Sequence, residues 1–200
     1  WLSAFPAGVL RLSDSGEAAF TMADGLPGNR ASACLIDRDG QLWVAFNGGG
    51  ITLYDGDRMT HVSKRDGLLH DGCAFIRRDR HGHLWVGTDN GVNRYDGSQW
   101  LPELPAEDWR PAFIDLLEEP DGTLWGVTHG GQVQRCVAGD WQESLARPPA
   151  SFNTGVFARD WDGGIWCGNG VQGVNRYHAD RWTTFTAAEH GVPPGLVRAL

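Results

Sequence analysis

Seven histidines, four cysteines and several paired aspartates are the side chains with which this chain could do chemistry. His70, His129 and His190 invite a search for a general base, because a neutral imidazole can take and return a proton near pH 7. No Gly-x-Ser-x-Gly nucleophile elbow, phosphate loop or Cys–His signature accompanies them. The pairs Asp37/Asp39 and Asp160/Asp162 are of the type that calcium seeks, since hard cations want several carboxylates. Aspartates in turns also bond their own backbone, which is the reading adopted for both pairs. Cys34, Cys73, Cys136 and Cys167 match no zinc spacing and read as small core thiols. Trp109 beside Arg110 offers a different chemistry, recognition without reaction. The indole is a flat apolar face for stacking, and the guanidinium is a forked donor for carboxylate or hydroxyl groups. This reading calls for no catalytic residue, no metal and no cofactor.

Such side chains act only if elements position them, and a repeat shows which elements these are. Leu42-Trp43, Leu84-Trp85, Leu124-Trp125 and Ile165-Trp166 recur one period apart, with Trp1 a further period upstream; the tryptophan spacings are 42, 42, 40 and 41. Glycine stands three residues before each (Gly40, Gly82, Gly122, Gly163), and an acid stands six before (Asp37, Asp79, Glu119, Asp160). A glycine-led β-type run follows, as in Gly50 to Tyr54, Gly91 to Tyr95 and Gly173 to Tyr177, and then Met59, Trp100, Trp141 or Trp182. Each unit reads as four short strands joined by tight turns: Ala31 to Asp37, Gln41 to Phe46, Gly50 to Tyr54 and Met59 to Ser63 in the best example. Four strands in about 41 residues is the arithmetic of a β-propeller blade. The fold class expected is all-β, a propeller of four-stranded antiparallel blades, about five in number. The units run approximately over 21–59, 60–100, 101–141 and 142–182. A composite blade is expected from 1–20 and 191–200, closing a five-bladed ring, with an arc of a larger, seven-bladed propeller as the alternative.

Composition agrees and narrows the partners. Glycine (28) and tryptophan (10) are abundant, apolar residues make up 41%, and charged residues 21%. A net charge of −8 argues against nucleic acid or an anionic membrane as partner. Opening on Trp1 instead of methionine, the chain reads as a piece of something longer.

Gly25-Leu26-Pro27-Gly28-Asn29, Asp37-x-x-Gly40-x-Leu42-Trp43, Gly50-Ile51 and Tyr54-Asp55-Gly56 together resemble the two-component regulator propeller repeat. The third unit departs at Gly126-Val127-Thr128 and Cys136-Val137-Ala138-Gly139, and the fourth at Arg147-Pro148-Pro149. The resemblance implies an extracytoplasmic sensor of a bacterial hybrid histidine kinase or diguanylate cyclase, coupling an external ligand, often an oligosaccharide, to a cytoplasmic output. A periplasmic location and a receptor dimer follow from the same resemblance. A protein-docking scaffold is the alternative role. A third is a lyase of the streptogramin type, which would need a histidine, a glutamate and a metal at the channel mouth.

The ligand is expected at that mouth, between two loop sets. One enters each first strand and holds Arg30, His70, Trp109, Arg110 and Asn153; the other joins second to third strands and holds Asn47, Asn90, His129 and Asn169. Both sets emerge at one end of the blades, because strands one and three of a meander run the same way. A blander role is open for the asparagines, which also fill turn positions of positive φ.

Overall fold

The structure, a computed structural model, describes residues 1–4, 8–14, 16–103, 111–129, 131–143, 156–168 and 173–191. The chain divides into two compact units, Trp1–Glu103 and Leu104–Leu200.

The first unit holds three antiparallel sheets. One has three strands, β1 (Leu2–Ala4), β2 (Gly8–Ser13) and β3 (Gly16–Phe20). The next is the four-strand meander β4 (Ala31–Ile36), β5 (Leu42–Phe46), β6 (Gly50–Tyr54) and β7 (Met59–Val62). The third repeats it with β8 (Cys73–Arg78), β9 (Leu84–Thr88), β10 (Gly91–Tyr95) and β11 (Trp100–Glu103). The second unit holds two more such meanders. These are β12 (Phe113–Glu118), β13 (Leu124–Thr128), β14 (Val133–Val137) and β15 (Asp140–Glu143), then β16 (Phe157–Arg159), β17 (Ile165–Gly168), β18 (Val174–His178) and β19 (Arg181–Phe185). These are propeller blades. Of the composite blade expected from 1–20 and 191–200, the first stretch holds the three strands β1–β3, and residues 192–200 lie outside the described residues.

The sequence of each second strand explains where it sits. All five residues of β5, Leu-Trp-Val-Ala-Phe, are buried. Alternation sends Leu42, Val44 and Phe46 to a cluster with Val9 and Leu26, and Trp43 and Ala45 to one with Ile76, Leu84 and Val86. A strand covered on both faces is apolar throughout, and that is why it shows no polar alternation. Three of these tryptophans reach the following sheet of their own unit: Trp1 meets Tyr54 at 6.0 Å, Trp43 meets Tyr95 at 5.8 Å and Trp125 meets Tyr177 at 5.0 Å between ring centroids. The repeat period is therefore the period of this inter-sheet contact.

The glycine that opens the third strand is also dictated by close approach. Gly50 has φ +70° and a Cβ there would strike the Val62 carbonyl oxygen; Gly173 meets the Phe185 carbonyl in the same way. Outside the sheets the chain makes single-turn helices that the strand pattern did not announce, 3-10 turns at Met22–Asp24 and Lys64–Asp66 between sheets and a short α1 (Ala187–His190) after β19. Thr21, Ser63 and Thr186 cap them through their hydroxyls.

Candidate functional site

In the first unit the backbone builds the loop end from two neighbouring sheets. The Asn47 N–H donates to the Arg30 carbonyl at 3.0 Å, so the turn after β5 sits beside the entry to β4. Asn47 also bridges to Gly72, and the N–H groups of Gly48 and Gly50 donate to the Asp71 carbonyl at 3.2 and 2.7 Å. The next sheet closes the same way, with Asp89 N–H on the Gly72 carbonyl at 2.9 Å. Arg30, Asn47, His70 and Asn90 are thus brought to one end of β4–β7 and β8–β11. In the second unit His129 takes the matching place on its own sheet, its N–H on the Ala112 carbonyl at 2.8 Å. Trp109, Arg110, Asn153 and Asn169 lie outside the described residues.

The His70 ring is half exposed, and its Nδ1 accepts the Gly72 N–H at 2.9 Å, which in the neutral ring leaves the hydrogen on Nε2. The exposed Asp89 carboxylate lies 3.5 Å from the same Nδ1. Asp89 is a member of this cluster that sequence reasoning missed, although it immediately precedes Asn90. A Cβ at Gly72 would meet the Asp89 carboxylate and the His70 ring, so a larger residue there would push the exposed Asp89 side chain away from His70. The turn role offered for the asparagines fails for Asn47 and Asn90. Neither has positive φ; the neighbouring Gly48 (+100°) and Gly91 (+113°) take the left-handed conformation instead.

The opposite end of the sheets is built from the acid six residues before each tryptophan. Asp37 accepts the N–H groups of Asp39 and Gln41 at 3.0 and 2.9 Å, and the Trp43 indole N–H at 2.8 Å. Trp85, Trp125 and Trp166 donate in the same way to Asp79, Glu119 and Asp160, at 3.0, 2.7 and 2.7 Å. The recurring acid therefore satisfies a buried indole as well as its own turn. Among the described residues no three histidine, cysteine or acidic side chains come together as a metal-binding group.

Burial raises the Asp79 carboxyl, but hydrogen bonds from Trp85 and His83 outweigh it and hold the group below the ordinary carboxylate range. Asp96 is held at about 2 by the Gln99 and Ser98 N–H groups. All four cysteines are free, and burial with nearby Asp71 and Asp89 pushes the Cys73 thiol up to about 12. A further recurrence runs through the arginines. Arg11, Arg94, Arg135 and Arg176 lie over the faces of Trp1, Trp85, Trp125 and Trp166 at 5.6–5.9 Å.

Successive antiparallel sheets stacked through their tryptophans, with variable loops at one end, define a β-propeller domain. Residues 25–48 match the family described as two component regulator propeller, the repeat that the sequence resembles. Among curated proteins no sequence matches the chain. Solved structures share the fold. The extracellular domain of a protein described as a hybrid two component system from B. thetaiotaomicron superposes with a TM-score of 0.72 at 19% identity, over 87% of this chain and 25% of that one. Another from the same organism, described as a one component system, gives 0.73 at 18% identity over 96% and 27%. Virginiamycin B lyase from Staphylococcus aureus gives 0.65 at 14% identity over 78% and 55%. The chain thus spans about a quarter of the two extracellular domains.

Proposed function

We propose that this chain is part of a non-catalytic, extracytoplasmic sensor propeller of a bacterial signalling receptor, which binds a small molecule or oligosaccharide at the loop end. The observation that carries this reading is the contrast between the two ends of the sheets in the first unit. At the turn end the aspartate, glycine and tryptophan repeat from sheet to sheet. At the loop end Arg30 is replaced by Gly72, Gly28 by His70, Asn47 by the exposed Asp89 and Gly48 by Asn90. A surface of conserved spacing and changing polar groups suits an asymmetric ligand: the amides give donor and acceptor, Asp89 accepts, and His70 presents Nε2. The match of residues 25–48 supports the receptor context.

A thermal-shift screen against sugars and small acids tests the reading. A soluble ligand at 100 times its Kd should stabilise the protein by about 2.7 kcal/mol. With such a ligand in hand, His70→Ala, Asn47→Ala, Trp109→Ala and Arg110→Ala are expected to weaken it; affinities within about twofold of wild type in all four would place the ligand elsewhere. A second reading, docking of another protein subunit, is favoured by Trp161, which is 96% exposed in the turn between β16 and β17. It predicts that Trp161→Ala abolishes capture of that subunit and leaves small-molecule binding intact.

A further inference from the structure

The turn that joins β8 to β9 carries two histidines on a frame that the other sheets share. Asp79 Oδ1 accepts the N–H groups of His81 and His83, both at 2.9 Å, as Asp37 accepts those of Asp39 and Gln41 before β5. The side chains set on this frame change from sheet to sheet: Asp39 and Gln41, His81 and His83, Asp121 and Thr123, Asp162 and Gly164. The turn before β9 is the one that presents two imidazoles. A single carboxylate thus fixes the backbone under both rings.

The same carboxylate sets the tautomer of one ring. Asp79 Oδ2 lies 2.9 Å from His83 Nδ1, and because a carboxylate only accepts, the hydrogen is on Nδ1. The neutral ring then carries its lone pair on Nε2, to which nothing among the described residues donates. A carboxylate behind an imidazole whose other nitrogen is open is the arrangement by which histidine holds metal ions, since it fixes the ring and raises its basicity. The His81 ring is exposed, is bonded by none of the described residues, and stands 6.1 Å from the His83 ring between centroids. Two imidazoles on one tetrahedral ion have centroids about 5 Å apart, a gap that rotation of the exposed His81 closes. Both histidines line a groove of about 430 Å³ between the second and third sheets, which leaves room for an ion and its waters. Asp37, Asp39 and Asp96 line it against Arg38 and Arg78, and Arg78 donates to the Ile36 carbonyl at 3.3 Å. Carboxylates thus outnumber guanidinium groups, and a cation is not repelled.

We infer that His81 and His83 together bind one late first-row divalent cation, of which zinc is the probe, with Nε2 of His83 as one ligand and water completing the coordination. Imidazole suits zinc, copper and nickel, whereas magnesium and calcium seek oxygen. Two protein ligands and water make an exchangeable site, unlike the four protein ligands of a structural zinc. That count agrees with the absence of a three-ligand group among the described residues. The site is at the opposite end of the sheets from the loop-end ligand, and neither depends on the other.

The test is a titration of the isotope-labelled protein with zinc chloride, followed at the imidazole resonances of His81 and His83. Both are expected to shift saturably with zinc and to stay in place with magnesium at the same concentration. Calorimetry then compares variants: His81→Ala and His83→Gln are each expected to weaken zinc binding at least about tenfold. Both changes suit the turn, because His81 is exposed and glutamine already stands at the matching place as Gln41. Rings that zinc does not move, or wild-type zinc affinity in the folded variants, overturn the inference. So does magnesium that shifts the two rings as zinc does, which would assign the ion to the carboxylates of the groove.

Discussion

Tryptophan is placed in this chain by two bonds of different kind. The ring of Trp43 packs on Tyr95 and Trp100 of the next sheet, at 5.8 and 6.2 Å, and its N–H is taken up by Asp37. With only 6% of its surface exposed, Trp43→Ala should destabilise the protein by roughly 3–5 kcal/mol, as large-to-small core changes do. Denaturant unfolding measures this, and a cost below about 1 kcal/mol would mean that the ring is not core. The cysteines make a complementary test of burial. Cys73 is almost fully buried with its thiol pushed up to about 12, whereas Cys34 is only partly buried. A thiol reagent at neutral pH is therefore expected to label Cys34 in the native protein and Cys73 only after unfolding. Labelling at equal rates would contradict the packing.

The blade as an element depends on being tied to the connector that precedes it. Asn93, buried in β10, accepts the Leu69 N–H at 2.8 Å and donates to the Gly67 carbonyl at 3.1 Å. That amide pins the chain between the Lys64–Asp66 turn and β8. Asn93→Ala leaves these backbone groups without their partner and should cost about 1–3 kcal/mol, read as a lower denaturation midpoint at unchanged slope. The cap of the same turn is more exposed. Ser63 accepts from Arg65 N–H at 3.2 Å and bonds Asp66, and Ser63→Ala should cost about 1 kcal/mol. A larger effect for the cap than for Asn93 would reverse this account of what fastens the connector.

Across the molecule the turn carboxylates act in one direction on stability. Asp79 and Asp160 are each raised by burial and lowered further by the donors around them, and Asp96 is lowered to about 2 by N–H groups. Their folded values are all depressed from the unfolded 3.8. A depressed carboxylate stabilises the fold fully above its unfolded value, and this contribution is lost as pH falls through the folded value. Stability should thus be steady on this account near neutrality and decline as pH drops from about 4 towards 2. Chemical denaturation at a series of pH values checks it; stability that rises on acidification would contradict the geometry of these turns.

Much of the fold was legible because the repeat is written in residues whose roles are local. Glycine at Asp-x-x-Gly turns, the apolar second strand and the spacing of the tryptophans together specify four strands per period, and the strands lie within a residue or two of where the pattern puts them. The same pattern places Arg30 with Asn47, and His70 with Asn90, at one end of their sheets, since meander geometry follows from strand order alone. What the sequence could not decide depends on groups distant along the chain. The bond from each acid to an indole six residues on joins two residues across a turn, so its recurrence was visible while its purpose was not. Asp89 meets His70 only because two strands bring their ends together. Leu53 looks like an ordinary strand residue, and only register shows that it faces Trp43 where Arg176 faces Trp166. Strand spacing is a property of the sequence, whereas the pairing of side chains across a sheet is settled by register and packing in three dimensions.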